Sequence, residues 1–280
     1  MEVITKINVM RTRVLSVKDR KRSIGLVPTM GALHDGHISL IRSAREENDE
    51  LVVSIYLNPT QFDNNNDLDK YPRQLNEDIE IIRKENVDVV FAPCTEEMYP
   101  KGFCTHVTED GLSDTLCGRV RLGHFNGVST IVTKLFNIIQ PVRAYFGQKD
   151  YQQSAIIKRL VADMNMDIGI RVCPTVREED GLALSSRNER LSPEERHDAL
   201  CIHGSLLKAR DMFASNIRDA KEIIEEMISV IKKTEQTKID YISIVNTDTL
   251  KDLSLINGKA LAAVAVWIGN TRLIDNTILE

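Results

Sequence analysis

The chain has 280 residues, 42% hydrophobic and 28% charged, with 36 basic against 41 acidic residues for a net charge of −5. That length holds one large domain or two unequal ones with a full core. The charge balance excludes a general nucleic-acid or anionic-membrane binder, which needs an excess of Lys and Arg. No apolar stretch approaches the roughly 20 residues that span a bilayer, and the start, MEVITKINVMRTRV, lacks the apolar core of a signal peptide. The cysteines (Cys94, Cys104, Cys117, Cys173, Cys201) are odd in number, scattered, and never paired as CxxC. Neither a zinc site nor a disulfide framework is expected, and a reduced cytoplasmic setting is.

In chain order, Ser23–Val27 is an apolar run expected to form a strand that ends at Pro28. Leu51–Leu57 and Val87–Ala92, rich in β-branched residues, read as buried strands, with Ala144–Phe146 and Ile168–Val172 as shorter ones. Helical spacing falls between them, at His37–Glu47, Leu75–Glu85, Val128–Ile139 and Gln152–Met164. Asp63–Asp69 (DNNNDLD) reads as a polar surface loop. Strands alternating with helices of 10–15 residues predict a parallel sheet with right-handed crossovers. After residue 176 the pattern changes. A charged, Ser-rich loop leads to Ser192-Pro193-Glu194-Glu195, an N-cap, a first-turn proline and a capping box. Ile217, Ala220, Ile224, Met227 and Ile231 then form one helical stripe, and Ile239–Val245 and Ala260–Trp267 read as strands. The expected fold class is α/β: a Rossmann-like parallel sheet in an N-terminal domain, 1–176, and a smaller α+β domain, 177–280.

Five segments carry groups suited to chemistry. The first is Pro28-Thr29-Met30-Gly31-Ala32-Leu33-His34-Asp35-Gly36-His37, between a strand and an amphipathic helix. Ligands of open α/β sheets bind at the carboxyl ends of strands. Glycines admit a phosphate close to the backbone, and a helix N-terminus offers N–H groups to an anion. His34 and His37 can both point at one phosphate chain and donate to oxygens that gain charge; the plainer alternative is that they only cap the helix. The second is Gly181-Leu182-Ala183-Leu184-Ser185-Ser186-Arg187-Asn188, a flexible loop able to close over a triphosphate, or simply a polar linker. The third is Phe146-Gly147-Gln148-Lys149-Asp150-Tyr151-Gln152-Gln153, where Lys149 suits a phosphate and Asp150 could cap a helix. The fourth is Asn58-Pro59-Thr60-Gln61-Phe62, where Gln61 can bind a hydroxyl or carboxylate. The fifth is the basic, Gly-rich Cys117–Val128. Only the first is specific alone; four of the five fall at strand ends facing one edge of the expected sheet.

Taken in order, VPTMGALHDGH, NPTQF, YPR, GHFNGV, AYFGQKDYQQ, PTVREEDGLALSSRN and TRLIDN resemble the pantothenate synthetase family over nearly the whole chain. The first also resembles the HIGH signature of nucleotidyltransferases, and the Leu184–Arg187 loop a KMSKS-type loop. The resemblance implies an ATP- and Mg²⁺-dependent ligase, a pantoate–β-alanine ligase (AMP-forming). Pantoate would become pantoyl-adenylate, and β-alanine would then displace AMP to give pantothenate. It implies that Pro28–His37, Gly147, Gln148, Lys149, Asp150, Val176, Leu184, Ser185, Ser186 and Arg187 hold the nucleotide. His37, His34, Lys149 and Arg187 would be the catalytic groups, Gln61 and Gln153 would contact the acids, and no protein-built metal cluster is expected. Residues 58–70 are a candidate lid. A cytoplasmic homodimer with no nucleic-acid or membrane partner is implied. Leu122 stands where the family pattern has Pro, Gln148 where it has Glu, and Asp63–Leu68 departs from its usual continuation. Two other readings use the same histidine turn: a nucleotidyltransferase acting on a phosphorylated acceptor, and a nucleotide-binding module without chemistry.

Overall fold

The structure, a computed structural model, describes residues 1–63, 65–235 and 237–280, and the backbone alone at 65 and 66. Residue 64 of the candidate lid and the side chains of 65 and 66 lie outside the described residues. The elements run β1 (Glu2–Ile4), α1 (Ile7–Asp19), β2 (Ile24–Thr29), α2 (Asp35–Glu47), β3 (Glu50–Ile55), α3 (Asn65–Asp69), α4 (Leu75–Arg83), β4 (Val89–Phe91) and α5 (Thr95–Met98). They continue with α6 (His124–Ile139), β5 (Arg143–Gly147), α7 (Tyr151–Asp163), β6 (Gly169–Cys173), α8 (Pro193–Asp198), α9 (Leu200–Ala214), α10 (Ala220–Ile231), β7 (Thr237–Asn246), β8 (Ala260–Ile268) and β9 (Thr271–Leu279).

The chain divides into two compact units. One holds Met1–Ser113, Arg121–Gly147 and Gln153–Pro174; the other holds Asp114–Val120, Gln148–Gln152 and Thr175–Glu280. The larger contains a six-stranded parallel sheet in the order β1-β4-β3-β2-β5-β6. From β2 the chain steps one way to β3 and β4, then returns to add β5 and β6 on the other side. Right-handed crossovers therefore place α2 and α4 on one face and α1, α6 and α7 on the other. The central strands are largely apolar, as sheets covered on both faces require: β3 is buried at every position, whereas the edge strand β6 is fully buried only at Cys173. Val27, Val53, Val90 and Tyr145 pack with Ile38, Ile41 and Ala44 of α2 and Ile82 of α4. The switch in strand direction lies between β2 and β5, where ligands of such sheets bind, at the carboxyl ends.

Pro28 does not end the strand, as the sequence suggested; β2 runs through it to Thr29, with Pro28 opposite Ser54 of β3. Backbone groups of successive strand residues point to alternate sides. Ile24 bonds toward β5, through Val142, and Thr29 toward β3, through Tyr56. Pro28 thus turns its donor-less nitrogen to the β5 side, where pairing has already stopped at Leu26–Ala144. The missing N–H is harmless there, and it keeps β2 and β5 apart at the switch point.

The smaller unit has an antiparallel sheet, β7-β8-β9, with α9 against β8 and β9 and α10 against β7. Its core joins Ile202, Leu206, Ile223, Met227, Ile231, Ala262, Val264 and Val266. The expected capping box is present: Ser192 accepts from the Glu195 N–H and Glu195 caps the Ser192 N–H. Five elements go beyond the sequence reading: β1, α1, α5, α9 and β9. Ile217 precedes α10 rather than joining its stripe, and Ile223, not Ile224, is the fully buried member. Asn65–Asp69, expected as loop, is the short helix α3.

Candidate active site

Segments that follow the strands of a parallel sheet leave it at one edge. Met30–His37 follows β2, Asn58–Phe62 follows β3, and β5 ends at Gly147.

The turn after β2 is held from beneath. Thr29 Oγ1 donates to the Ser54 carbonyl at 2.8 Å. Gly31 (φ 83°) and Ala32 (φ 53°) both take left-handed backbone conformations. At Ala32 this costs about 1–2 kcal/mol. The cost is offset by Asp78 of α4, which is 1% exposed and accepts from the Ala32 N–H at 3.0 Å and the Leu33 N–H at 2.9 Å. A Cβ at Gly31 would stand 2.9 Å from the same carboxylate, so glycine is required twice over there. Asp78 was not singled out in the sequence. The available signal was a carboxylate four residues before Ile82 on the apolar face of α4, a position where burial demands a partner.

Both histidines cap α2. His34 is the N-cap, and its Nδ1 accepts from the Gly36 N–H at 3.2 Å; His37 Nδ1 accepts from the His34 N–H at 3.3 Å. The rings lie 4.1 Å apart between centroids. Capping therefore fixes how both rings are turned. A ring nitrogen that accepts cannot carry the proton, so each neutral imidazole holds its proton on Nε2. Two N–H donors are set side by side at the start of a helix whose dipole favours an anion.

Beside this turn, Gln61 Nε2 donates to Met30 Sδ at 3.0 Å, and Gln61 is 8% exposed. Its turn, Pro59–Gln61, packs on α6 at Gly127, where an added Cβ would stand 2.4 Å from the Thr60 carbonyl oxygen and 2.7 Å from Gln61 Cα. That contact explains the second glycine of GHFNGV: any side chain there displaces Gln61. His124 Nδ1 lies 2.6 Å from the Gln61 carbonyl. Asn58, 1% exposed, and Tyr99 complete the surroundings. Neither carried a site role in the sequence reading, because their partners are 3 to 69 residues away. Gln153 is half-buried near the start of α7.

In the smaller unit, Gln148–Asp150 form one 3-10 turn. The carbonyls of Gln148 and Lys149 accept from Asn276 Nδ2 of β9 at 3.0 and 2.9 Å. Gln152 is buried and donates to the Thr115 carbonyl at 2.8 Å. The sequence offered a flexible loop or a polar linker at Gly181–Asn188; the chain from Val176 to Leu184 pairs as a hydrogen-bonded hairpin. Leu184 N–H donates to the Val176 carbonyl, Glu178 N–H to the Leu182 carbonyl, and Arg177 bridges Ala183. Val176 and Leu184 are thus brought together. Arg187 N–H donates to Ser185 Oγ at 3.3 Å, so Ser185, Ser186 and Arg187 share one tight turn. Arg177 forks onto Asp275 at 2.5 and 3.0 Å, with Asp275 buried. Arg196 ties the hairpin through Glu178 and Asp180.

Among the described residues no helix is long and apolar enough to cross a membrane. The sequence model of the pantoate–β-alanine ligase family matches residues 2–278. The chain is 53% identical over its full length, and the relative's, to a pantothenate synthetase of Thermotoga petrophila. It is 53% identical to that of Moorella thermoacetica, covering all of this chain and 99% of the relative. A pantothenate synthetase crystal structure from Thermus thermophilus superposes with TM-score 0.94 at 41% identity over 99% of both chains. One of a pantoate–β-alanine ligase from Francisella tularensis, complexed with β-γ ATP and β-alanine, superposes with TM-score 0.82 at 39% identity over 99% of this chain and 97% of that one. The chain belongs to the pantoate–β-alanine ligase family.

Proposed function

We propose that this enzyme uses ATP to condense (R)-pantoate with β-alanine through pantoyl-adenylate. The pantoate carboxylate attacks the α-phosphorus of ATP and pyrophosphate leaves. The β-alanine amine then attacks the acyl carbon, AMP leaves, and pantothenate is released. No protein nucleophile is needed, because the substrate carboxylate fills that role. What remains is positioning and the stabilisation of charge on phosphate oxygens.

The observation that supports this reading most is the pair of capped histidines, whose Nδ1 atoms both accept backbone N–H groups. Their Nε2–H donors suit the phosphate oxygens, with His37 supplying the proton-donating contact and His34 its companion. Pro28, Thr29 and the turn through Gly36 form the floor for the nucleotide. In this proposal Gly147, Gln148, Lys149, Asp150, Val176 and Leu184–Arg187 hold the rest of ATP, with Lys149 and Arg187 neutralising its charge. Gln61 and Gln153 bind the acids. Among the described residues no three His, Cys, Asp or Glu side chains gather as a metal site. Mg²⁺ would arrive on the triphosphate. Bound there, it would reduce the charge on the phosphates and make the α-phosphorus easier to attack. Residues 1–176 would form the catalytic domain and 177–280 the domain that presents the Ser-Ser-Arg turn. By family likeness the chain acts in the cytoplasm as a homodimer.

The test is isotopic. Pantoate labelled with ¹⁸O in its carboxylate is incubated with ATP, Mg²⁺ and β-alanine. One labelled oxygen is expected in AMP. Label in inorganic phosphate together with ADP formation would point to an acyl phosphate and overturn the adenylate route.

A further inference from the structure

The hydroxyl of Tyr99 lies in no segment that the family likeness rests on, yet it begins a chain of contacts that ends on Gln61. Asn58 is almost fully buried, and the two ends of its amide have nearly the same shape. Only neighbours can decide which end is oxygen. Tyr99 Oη donates to Asn58 Oδ1 at 2.9 Å, and Thr60 Oγ1 donates to the same oxygen at 3.0 Å. Burial holds the Tyr99 phenol above its ordinary value, with the bonds to Thr60 and Asn58 working against that shift, so it remains a donor at neutral pH. The other end, Asn58 Nδ2, donates to the Gly127 carbonyl and to Gln61 Oε1, both at 3.1 Å. Gln61 must then turn its oxygen toward Asn58 and its NH₂ away, toward Met30 Sδ at 3.0 Å.

A thioether is a weak acceptor. A buried amide N–H facing one is poorly satisfied until an oxygen replaces or joins it. Gln61 is thus polarised as a donor before any substrate arrives, and it selects a ligand that brings an acceptor: a carboxylate or hydroxyl oxygen. The aromatic wall keeps Tyr99 in place. Its ring lies 4.9 Å from Phe103 and 6.4 Å from Tyr56 between centroids, and Lys134 Nζ sits 5.5 Å from its centroid.

We propose that Tyr99 is a positioning residue that, together with the acceptor-only Gly127 carbonyl, holds the Asn58 amide and through it the hydrogen-bonding polarity of Gln61, and so the enzyme's preference for an acid with acceptor oxygens. The proposal rests on the acid-binding role given to Gln61 above.

Tyr99→Phe removes one donor and almost no volume. The KM for pantoate should rise roughly two- to tenfold, the value of one net hydrogen bond, while the KM for ATP stays unchanged. In a Gln61→Ala background the same substitution should change nothing further, because the group it positions is gone. A purely structural role would persist in that background, and an unchanged pantoate KM or an equal rise with and without Gln61 overturns the proposal. Thr60→Val reaches the same Asn58 oxygen and serves if Tyr99→Phe folds poorly; its effect should follow the same pattern. Should the unmodified enzyme fail to turn over pantoate, the acid-binding reading falls by itself. The relay is then read from side-chain amide ¹H–¹⁵N resonances, where Tyr99→Phe should shift those of both Asn58 and Gln61, and a Gln61 resonance left in place contradicts it.

Discussion

The histidine turn of the larger unit and the Ser-Ser-Arg hairpin of the smaller are held by opposite means. The turn depends on one buried carboxylate that accepts two backbone N–H groups. The hairpin has its own backbone ladder, a buried fork from Arg177 to Asp275, and partly exposed ion pairs from Arg196 to Glu178 and Asp180. A carboxylate clamp fixes backbone conformation, including the left-handed Ala32, with Thr29 Oγ1 adding one bond to the Gly31 N–H. Side-chain ion pairs fix where a segment lies and share the task. The group whose position must be kept most closely is therefore the more fragile.

That contrast can be tested at four places. The largest effect is expected at His37, where Ala should raise the barrier by about 2.7–4 kcal/mol, the usual loss for a donor to developing charge. It should appear in kcat, with a smaller loss of about 1 kcal/mol in stability from the broken cap. Next, Asp78→Ala leaves two buried N–H groups without acceptors and should cost about 2–3 kcal/mol in urea unfolding, with activity falling alongside. Retained activity would show that the turn holds itself. Arg196→Ala should cost at most about 1 kcal/mol, and that loss should shrink in high salt, whereas the Asp78 loss should not. A large salt-independent loss would erase the distinction between the two supports.

The smallest effect concerns pH and His203 of α9, whose ring packs so closely on the hairpin that a Cβ at Gly181 would stand 2.2 Å from it. Burial, helped by the Arg177 guanidinium, holds the His203 imidazole below its usual value, and its buried Nδ1 has no hydrogen-bond partner among the described residues. The unfolded chain therefore takes up a proton that the folded chain refuses. This group's contribution to stability is complete above the ordinary histidine value of about 6.5 and is lost as pH falls below it. Thermal melting from pH 7.5 to 5.5 should show that decline, and His203→Gln should flatten it.

Much of this was legible in the sequence. Strands β2 to β5 are largely apolar runs, their helices carry clear stripes, and the HxxH spacing gains its meaning from the strand and glycine before it and the helix after it. What escaped notice has physical reasons. Strand β1 has only three residues and buries one. In β9, Asp275 and Asn276 are polar yet buried, because their partners Arg177, Gln148 and Lys149 lie some hundred residues earlier. Asp78 and Tyr99 escaped for the same cause: their worth lies in partners 45 and 41 residues away, and no local pattern encodes them. The proline of VPTM read as a stop because its alternation relative to β5 becomes visible only once the strand order is known.

The most direct test of the account is exchange of labelled pyrophosphate into ATP, with Mg²⁺, purified enzyme, and acids added one at a time without any amine. Exchange that requires pantoate, and that falls by about two to three orders of magnitude in His37→Ala, is the predicted result. Exchange without pantoate, or pantoate-dependent exchange untouched by the loss of His37, would contradict it.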